Sequence, residues 1–441
     1  MLDRFLFQRI DNSPLIIFRV FFGILISLES FGAIATGWVR RTLVEPDFTF
    51  SFIGFEWLQP LPGPGMYVYF FLMGVMGLLV STGYKYRFGI IAFTVMWTGV
   101  YLMQKTSYNN HYYLLVIISF FMCFFPAHRS FSMDARLNPG FSRDNMYSYV
   151  KWVVVIQLFI VYTYAALAKI YGDWLDLSFI RLMMQSKAEY YLIGGWLQQE
   201  WVLKAVRAIG ILFDLFIVPA LLWKPSRRIA FVCAIGFHLF NSVVFQIGIF
   251  PYLSLAFTVF FFEPETIRKL FFRNNPPFLI NRVDRPPLRP YILLGWGLFL
   301  LIQLLLPLRH HLFRDDVLWT EEGHRMSWRM MLRNRTGQLY YRIVDKNGGA
   351  TSYVNLGDYL TRKQRLRLPA YPDLIWQFAQ RLKQEYAKQG KDVAIYVKSK
   401  VSINGRPMQP FIDPTTDLAA EPWRHFEHHD WILPSKLEDE K

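Results

Sequence analysis

WVVVIQLFIVYTYAALAKIYGDW, residues 152–174, is the stretch on which the fold turns. From Trp152 to Ala168 no side chain carries a charge, and the next residue is Lys169. About 20 apolar residues cross a bilayer as a helix, so the segment reads as a span that ends at Lys169. That lysine has two readings. A long amine at the end of a span snorkels to the interface. A partly desolvated amine can instead act as a base.

The rest of the chain repeats the pattern. Its 441 residues are 53% hydrophobic, 18% aromatic and only 18% charged, more apolar than a soluble chain of this length. Runs such as LLVIISFFMCFF (114–125), ILFDLFIVPALLW (211–223), LSLAFTVFFF (253–262) and ILLGWGLFLLIQLLLPL (292–308) are too dense for ordinary core elements. The fold class expected is a polytopic α-helical membrane protein with about nine transmembrane helices: 14–35, 66–84, 88–103, 111–127, 149–168, 208–223, 229–247, 249–263 and 291–307. The segment 249–263 is short enough to be re-entrant. The first segment has no small-residue cleavage site and reads as a retained anchor.

The formal net charge of +15 lies mostly in short connections. That distribution is a topology signal and argues against nucleic acid as a partner. Seventeen Lys and Arg, among them Arg282, fall on the side of the N-terminus and eight on the other. The N-terminus is therefore expected in the cytoplasm. Residues 1–307 form a helical domain, and 308–441 an extracytoplasmic α+β domain on a multi-pass protein of a bacterial inner membrane. In that domain GQLYYRIVDKNGGATSYVNL (337–356) reads as two strands around an Asn-Gly-Gly turn. Ile375, Phe378, Leu382 and Tyr386 have helical spacing, ending at Gly390, and KDVAIYVKSKVSING (391–405) alternates as a strand. The tail 436–441 is expected to be disordered. Cys123 and Cys233 both fall in apolar helices, which suits neither a disulfide nor a metal site.

Polar residues collect on the outer side. In QKTSYNNHYY (104–113), Ser107 or Asn109 is placed to cap the next helix, with Asn110 and His111 in its first turn, where backbone N–H groups favour an anion. Tyr162, Ala166 and Lys169 share one helix face, as do His238 and Asn241. The stretch VLWTEEGHRMSWRMMLRNR (317–335) brings His324, Arg329, Arg333 and Arg335 to the start of the outer domain. Each has a plainer reading: helix caps for Asn110 and His111, interhelical hydrogen bonding for His238 and Asn241, and a structural charge set for Arg19, Glu29 and Asp214. HFEHHDW (425–431) reads as a solvated His-rich loop, with metal binding as the alternative.

KTSYNNHYYL (105–114), IVYTYAALAKIYGDW (160–174) and FHLFNSVVFQIGIFPY (237–252) resemble stretches of the vitamin K-dependent γ-glutamyl carboxylases. WTEEGHRMSWRMM (319–331), VSINGR (401–406) and FIDPTTDL (411–418) resemble their extramembrane domain, in the same order along the chain. The resemblance implies that Lys169 is the base that activates the reduced vitamin, that His111 and Asn110 belong to the same site, and that Tyr162 and His238 lie near it. It implies reduced vitamin K (a hydroquinone, or a menaquinol) with O2 and CO2 as co-substrates, no metal, and a glutamyl peptide as the second substrate beside the lipid bilayer. The chain is shorter than the animal members and has no cysteine outside the spans, so it resembles a bacterial homologue without their luminal disulfide.

A free lysine has a pKa of about 10.4, so a lysine base must be desolvated. The end of a span under a covering domain supplies that. His324, Arg329, Arg333 or Arg335 is placed to hold the glutamate carboxylate. Two other functions remain open at the level of sequence. One is quinol epoxidation without carboxylation. The other is a transporter or lipid-binding scaffold, which predicts inverted repeats or broken helices that the chain does not display.

Overall fold

The computed structural model describes residues 2–273 and 283–435. Arg282 and the tail 436–441 lie outside the described residues. Among those described, nine apolar helices form the first part: α1 Ser13–Ala35, α2 Gly65–Thr82, α3 Tyr86–Met103, α4 Asn110–Phe124, α5 Tyr149–Ala168, α6 Glu200–Leu222, α7 Arg227–Phe245, α8 Phe250–Phe257 and α9 Arg289–Leu305. Seven are long and apolar enough to cross a membrane, while Asn110–Phe124 and Phe250–Phe260 are shorter. The chain is thus a polytopic helical membrane protein with a sheet-containing C-terminal part.

One boundary moves well beyond its expected place. The helix expected at 208 begins at Glu200, because its first turns are amphipathic. Val202 and Leu203 are buried against Trp174, Phe179 and Ile180, while the charged residues face out. A hydropathy reading stops where charge begins, but packing continues the helix.

The closest helix pair is α1 with α2. Small residues let the backbones meet: a Cβ on Gly77 would lie 2.4 Å from Ser27 Oγ, and that hydroxyl donates to Gly74 O at 2.8 Å. By contrast α9 is mostly uncovered. Its one buried residue, Gln303, donates to Tyr113 Oη at 2.9 Å and lies 3.4 Å from Gln157.

The three charges expected to form one set do not meet. Arg19 donates to Ala127 O at 2.9 Å and Phe131 O at 2.7 Å, and Glu29 accepts from Tyr112 Oη at 2.9 Å. Asp214 pairs with Lys169.

The second part is a four-stranded antiparallel sheet in the order β2-β1-β3-β4, from β1 Arg335–Asp345, β2 Thr351–Tyr353, β3 Val393–Ile403 and β4 Gln409–Pro410. Pairing of β1 with β3 runs from Arg335↔Ile403 to Asp345↔Val393. Helix α10, Pro372–Lys388, buries Leu374, Ile375, Phe378 and Leu382 against Tyr341, Ile395 and Val397. The strands and helix expected between 337 and 405 are all present. The loop at 425–431 is less solvated than expected: His428 Nδ1 and His429 Nδ1 lie 2.7 and 2.9 Å from the Glu322 carboxylate, and His429 is buried.

Ionic contacts lock the two parts together. Asp373 at the start of α10 meets Lys105, from the α3–α4 connection, at 2.8 Å and Arg325 at 2.6 Å. Lys363 Nζ donates to Thr42 Oγ1 at 3.0 Å and Ser107 Oγ at 2.9 Å. Arg406 pairs with Asp173 at 2.5 Å.

Candidate active site

Lys169 follows the last residue of α5 and is only 7% exposed. It does not snorkel. Its ammonium pairs with Asp214 of α6, lies 3.3 Å from Gly210 O and sits 5.6 Å above the Trp174 ring. Gly210 lets the Trp174 ring close on α6, since a Cβ there would lie 2.9 Å from the ring.

Lys169 and Asp214 line a cavity of 820 Å³ between α5, α6 and α7. Its polar groups include Lys169, Asp214, His111, Tyr162, His238 and Asn241; most of the remaining wall is apolar. Ile209, Leu212, Phe216 and Trp201 border it and are exposed on the apolar flank. Tyr162 Oη lies 3.1 Å from His238 Nε2, while His238 Nδ1, though buried, has no hydrogen-bond partner among the described residues. A buried polar atom of this kind in a cavity wall is open to a hydrogen bond from a ligand or a water.

Residue 111 is where cavities meet. Asn109 caps α4, accepting from Tyr112 N at 2.7 Å, and His111 stacks on Phe250 with ring centroids 3.9 Å apart. His111 lines the apolar cavity and also a second cavity of 210 Å³ beneath the sheet domain, with His324, Arg325, Arg329, Arg333 and Arg367. A third cavity, 590 Å³, touches His111 from the side of Glu29 and Tyr112. Asn110 ties the start of α4 to the outer loop, accepting from Tyr108 Oη at 2.8 Å and donating to Arg329 O at 3.0 Å.

The loop 321–331 divides the first two cavities. Glu321, Met326, Trp328 and Met331 all have left-handed backbone, with φ of 62°, 57°, 59° and 54°. Such strain in non-glycine residues persists only where surrounding structure over-determines it. Here the restraint includes Trp328 stacked on Tyr113 at 4.9 Å. Met330 and Met331 line both cavities.

The four residues expected to hold a carboxylate separate into different situations. Arg333 is engaged by both oxygens of Glu321. Burial opposes its charge, but Glu321 and Tyr371 together outweigh burial and hold the guanidinium above its ordinary pKa. Arg335 is buried outside the cavity wall, donating to Trp319 O and Ala370 O, each at 2.8 Å; burial lowers it to about 10. Arg329 lines the cavity with no carboxylate partner among the described residues, its Nη1 3.5 Å from His310 Nε2, and burial lowers it. His324 is pushed well below its usual pKa by burial and then by Arg333, Arg329, Arg325 and Arg335, and its Nδ1 has no hydrogen-bond partner among the described residues.

Sequence reasoning named Asp214 only as part of a structural set, counted Lys105 only among the outer-side charges, and did not single out Glu321 or Arg367. An acid inside a span was itself the available signal. Among the described residues, no group of three or more His, Cys, Asp or Glu gathers as a metal site would require.

A family model for the HTTM domain matches residues 7–265, more than half of the chain. A second, for the vitamin K-dependent gamma-carboxylase, lumenal domain, matches residues 288–438. No solved structure matches the chain. With helices matching the first model and a sheet domain matching the second, the chain belongs to the vitamin K-dependent gamma-carboxylase family.

Proposed function

We propose that the protein converts a peptidyl glutamate to γ-carboxyglutamate with CO2 and O2 while turning over a reduced vitamin K, or a menaquinol, to its epoxide. The observation that carries this reading is a buried lysine at the wall of an apolar cavity, separated by His111 from a cationic cavity under the sheet domain. The apolar wall and the free His238 Nδ1 fit a hydrophobic quinol with a hydroxyl to anchor. Once oxygenated, the quinol supplies a base strong enough to take the γ-proton of glutamate.

The side chains divide the work between the two substrates. Lys169 Nζ takes a hydroxyl proton of the quinol. His238, steadied by Tyr162, binds the hydroxyl oxygen, with Asn241 beside it. The apolar wall and Met330–Met331 exclude water, which protects a carbanion on the glutamate. Arg329 holds the substrate carboxylate through its guanidinium, and His324, kept neutral, adds a hydrogen bond. Purified protein given reduced vitamin K, labelled CO2 and a glutamyl peptide is expected to yield both epoxide and carboxylated peptide by mass spectrometry. The absence of both products would sink the reading. Epoxide alone would reduce it to a quinol epoxidase.

Arg329→Ala is expected to raise KM for the glutamyl peptide by about 10-fold or more, the loss of a charged hydrogen bond, with KM for quinol unchanged. Arg335→Ala, off the cavity, is expected to lower stability without that selectivity. Equal effects of Arg329→Ala on both substrates would remove Arg329 from the grip.

The chain divides near residue 307 into a membrane part holding the quinol site and an extracytoplasmic domain, with the N-terminus on the cytoplasmic side of a bacterial inner membrane. Support comes from the excess of Lys and Arg in the loops on the side of the N-terminus. Gly348 is exposed and a Cβ there meets nothing within 4 Å. Gly348→Cys should react with an impermeant thiol reagent in spheroplasts; labelling only after lysis would invert the topology.

A further inference from the structure

We infer that Asp214 is the positioning partner of Lys169, and that the two side chains form one proton acceptor that is net neutral at rest. This deepens the proposed function and rests on it. The carboxylate comes from another helix, 45 residues along the chain, and meets the amine in the wall of the apolar cavity. Asp214 is 5% exposed. A lone ammonium in such a place is costly, and a matched pair is far less so.

The proton count explains what the carboxylate adds. Ammonium with carboxylate, and amine with carboxylic acid, both carry one exchangeable proton and no net charge. The ammonium passes a proton to the Asp214 carboxylate; when the quinol O–H bond breaks, the amine so formed takes its proton, and the pair, now ammonium with carboxylic acid, becomes +1. The negative charge left on the hydroxyl oxygen matches it. Total charge in the cavity stays zero throughout, so no uncompensated charge is created in an apolar space. A single amine cannot do this, because it must first release a proton and so depends on pH. Gly210 O fixes the amine from a further direction. The other titratable groups in the cavity wall are Tyr162 of α5, His111 of α4, and His238 and Cys233 of α7; from the segment after α5, only the Trp174 ring reaches the amine.

Two measurements on the full chain test the pair. The first needs no quinol. Acylation of Lys169 by a small apolar amine reagent is followed by mass spectrometry across pH. Asp214→Asn removes the charge that holds the ammonium, and labelling at neutral pH is expected to rise about tenfold. The second is the pH profile of epoxidation. The wild-type pair contributes no limb near neutrality. Asp214→Asn gains one, with kcat falling as pH falls, the same midpoint as its labelling curve, and a smaller change in quinol KM. Asp214→Glu, which keeps the charge, is expected to restore the flat profile and slow labelling; it also carries the test if Asp214→Asn does not fold, because a limb in Asp214→Glu would then overturn the pair. Wild-type labelling of folded Asp214→Asn, or a kcat profile parallel to wild type at any level, overturns it as well. Full activity of Lys169→Ala would instead remove the lysine base itself, whereas inactive Lys169→Ala beside an unchanged Asp214→Asn rejects only the partnership.

Discussion

Epoxidation is expected to fall about 10²–10⁴-fold in Lys169→Ala, the usual worth of a positioned general base, and Lys169→Arg is expected not to restore it. The arginine variant decides between the two readings of this residue. Arg keeps a positive charge opposite Asp214 and so preserves the ion pair, but it stays protonated and cannot take a proton. An anchoring lysine tolerates that exchange, whereas a base does not. Product analysis by mass spectrometry, with folding checked by gel filtration, gives the readout. Near-normal epoxide formation by Lys169→Arg would make Lys169 an anchor. Lys169→Ala leaves the Asp214 carboxylate buried without its partner, a cost of about 3–5 kcal/mol, so its inactivity counts only if the protein remains folded. A small primary amine should then partly restore the rate, because it fills the vacated space and supplies the missing base.

Asp373→Ala is expected to cost about 3–5 kcal/mol in stability, the effect of removing one partner from a buried ionic cluster. The aspartate serves two cations, Lys105 at 2.8 Å and Arg325 at 2.6 Å. Burial alone would raise the Asp373 carboxyl, but Arg325 and Lys105 outweigh it and hold the group well below the usual carboxylate range. Burial dominates at Lys105, which is lowered to about 8. For an acid depressed in the folded state, the stabilisation is complete above the unfolded pKa of about 4. It is lost as pH falls from there through the lower folded value. Urea unfolding of the detergent-solubilised protein should show wild type losing this increment only in that acid window, with Asp373→Ala lacking it at every pH. Limited proteolysis should also cut the variant sooner near residues 312–316, where the sheet domain loosens from the helices. Unchanged stability would mean that other contacts, such as Arg406 with Asp173 at 2.5 Å, carry the docking.

The membrane helices were legible because a bilayer selects on composition: a run of apolar residues is both necessary and visible. The sheet strands were legible through alternation about the Asn-Gly-Gly turn. Pairing was not. Lys169 and Asp214 stand 45 positions apart, and neither periodicity nor hydropathy links residues on separate helices. The same limit explains the arginines. Arg329, Arg333 and Arg335 are alike as letters, yet Glu321 occupies Arg333, backbone carbonyls occupy Arg335, and Arg329 alone of the three faces the cavity without a carboxylate partner among the described residues. The cap at Asn109 was readable because a cap is local. The meeting of three cavities at His111 was not, since it depends on how four helices and a distant loop converge.

Gln303 gives α9 a preferred angle of rotation. Trp296 and Phe299 of α9 make apolar contacts, edge-on to Phe121, whereas turning the amide away from Tyr113 and Gln157 would carry it into hydrocarbon. The helix that leads into the sheet domain therefore behaves as a keyed shaft: a single polar tooth sets its orientation, and with it the azimuth at which the following loop first meets the bundle.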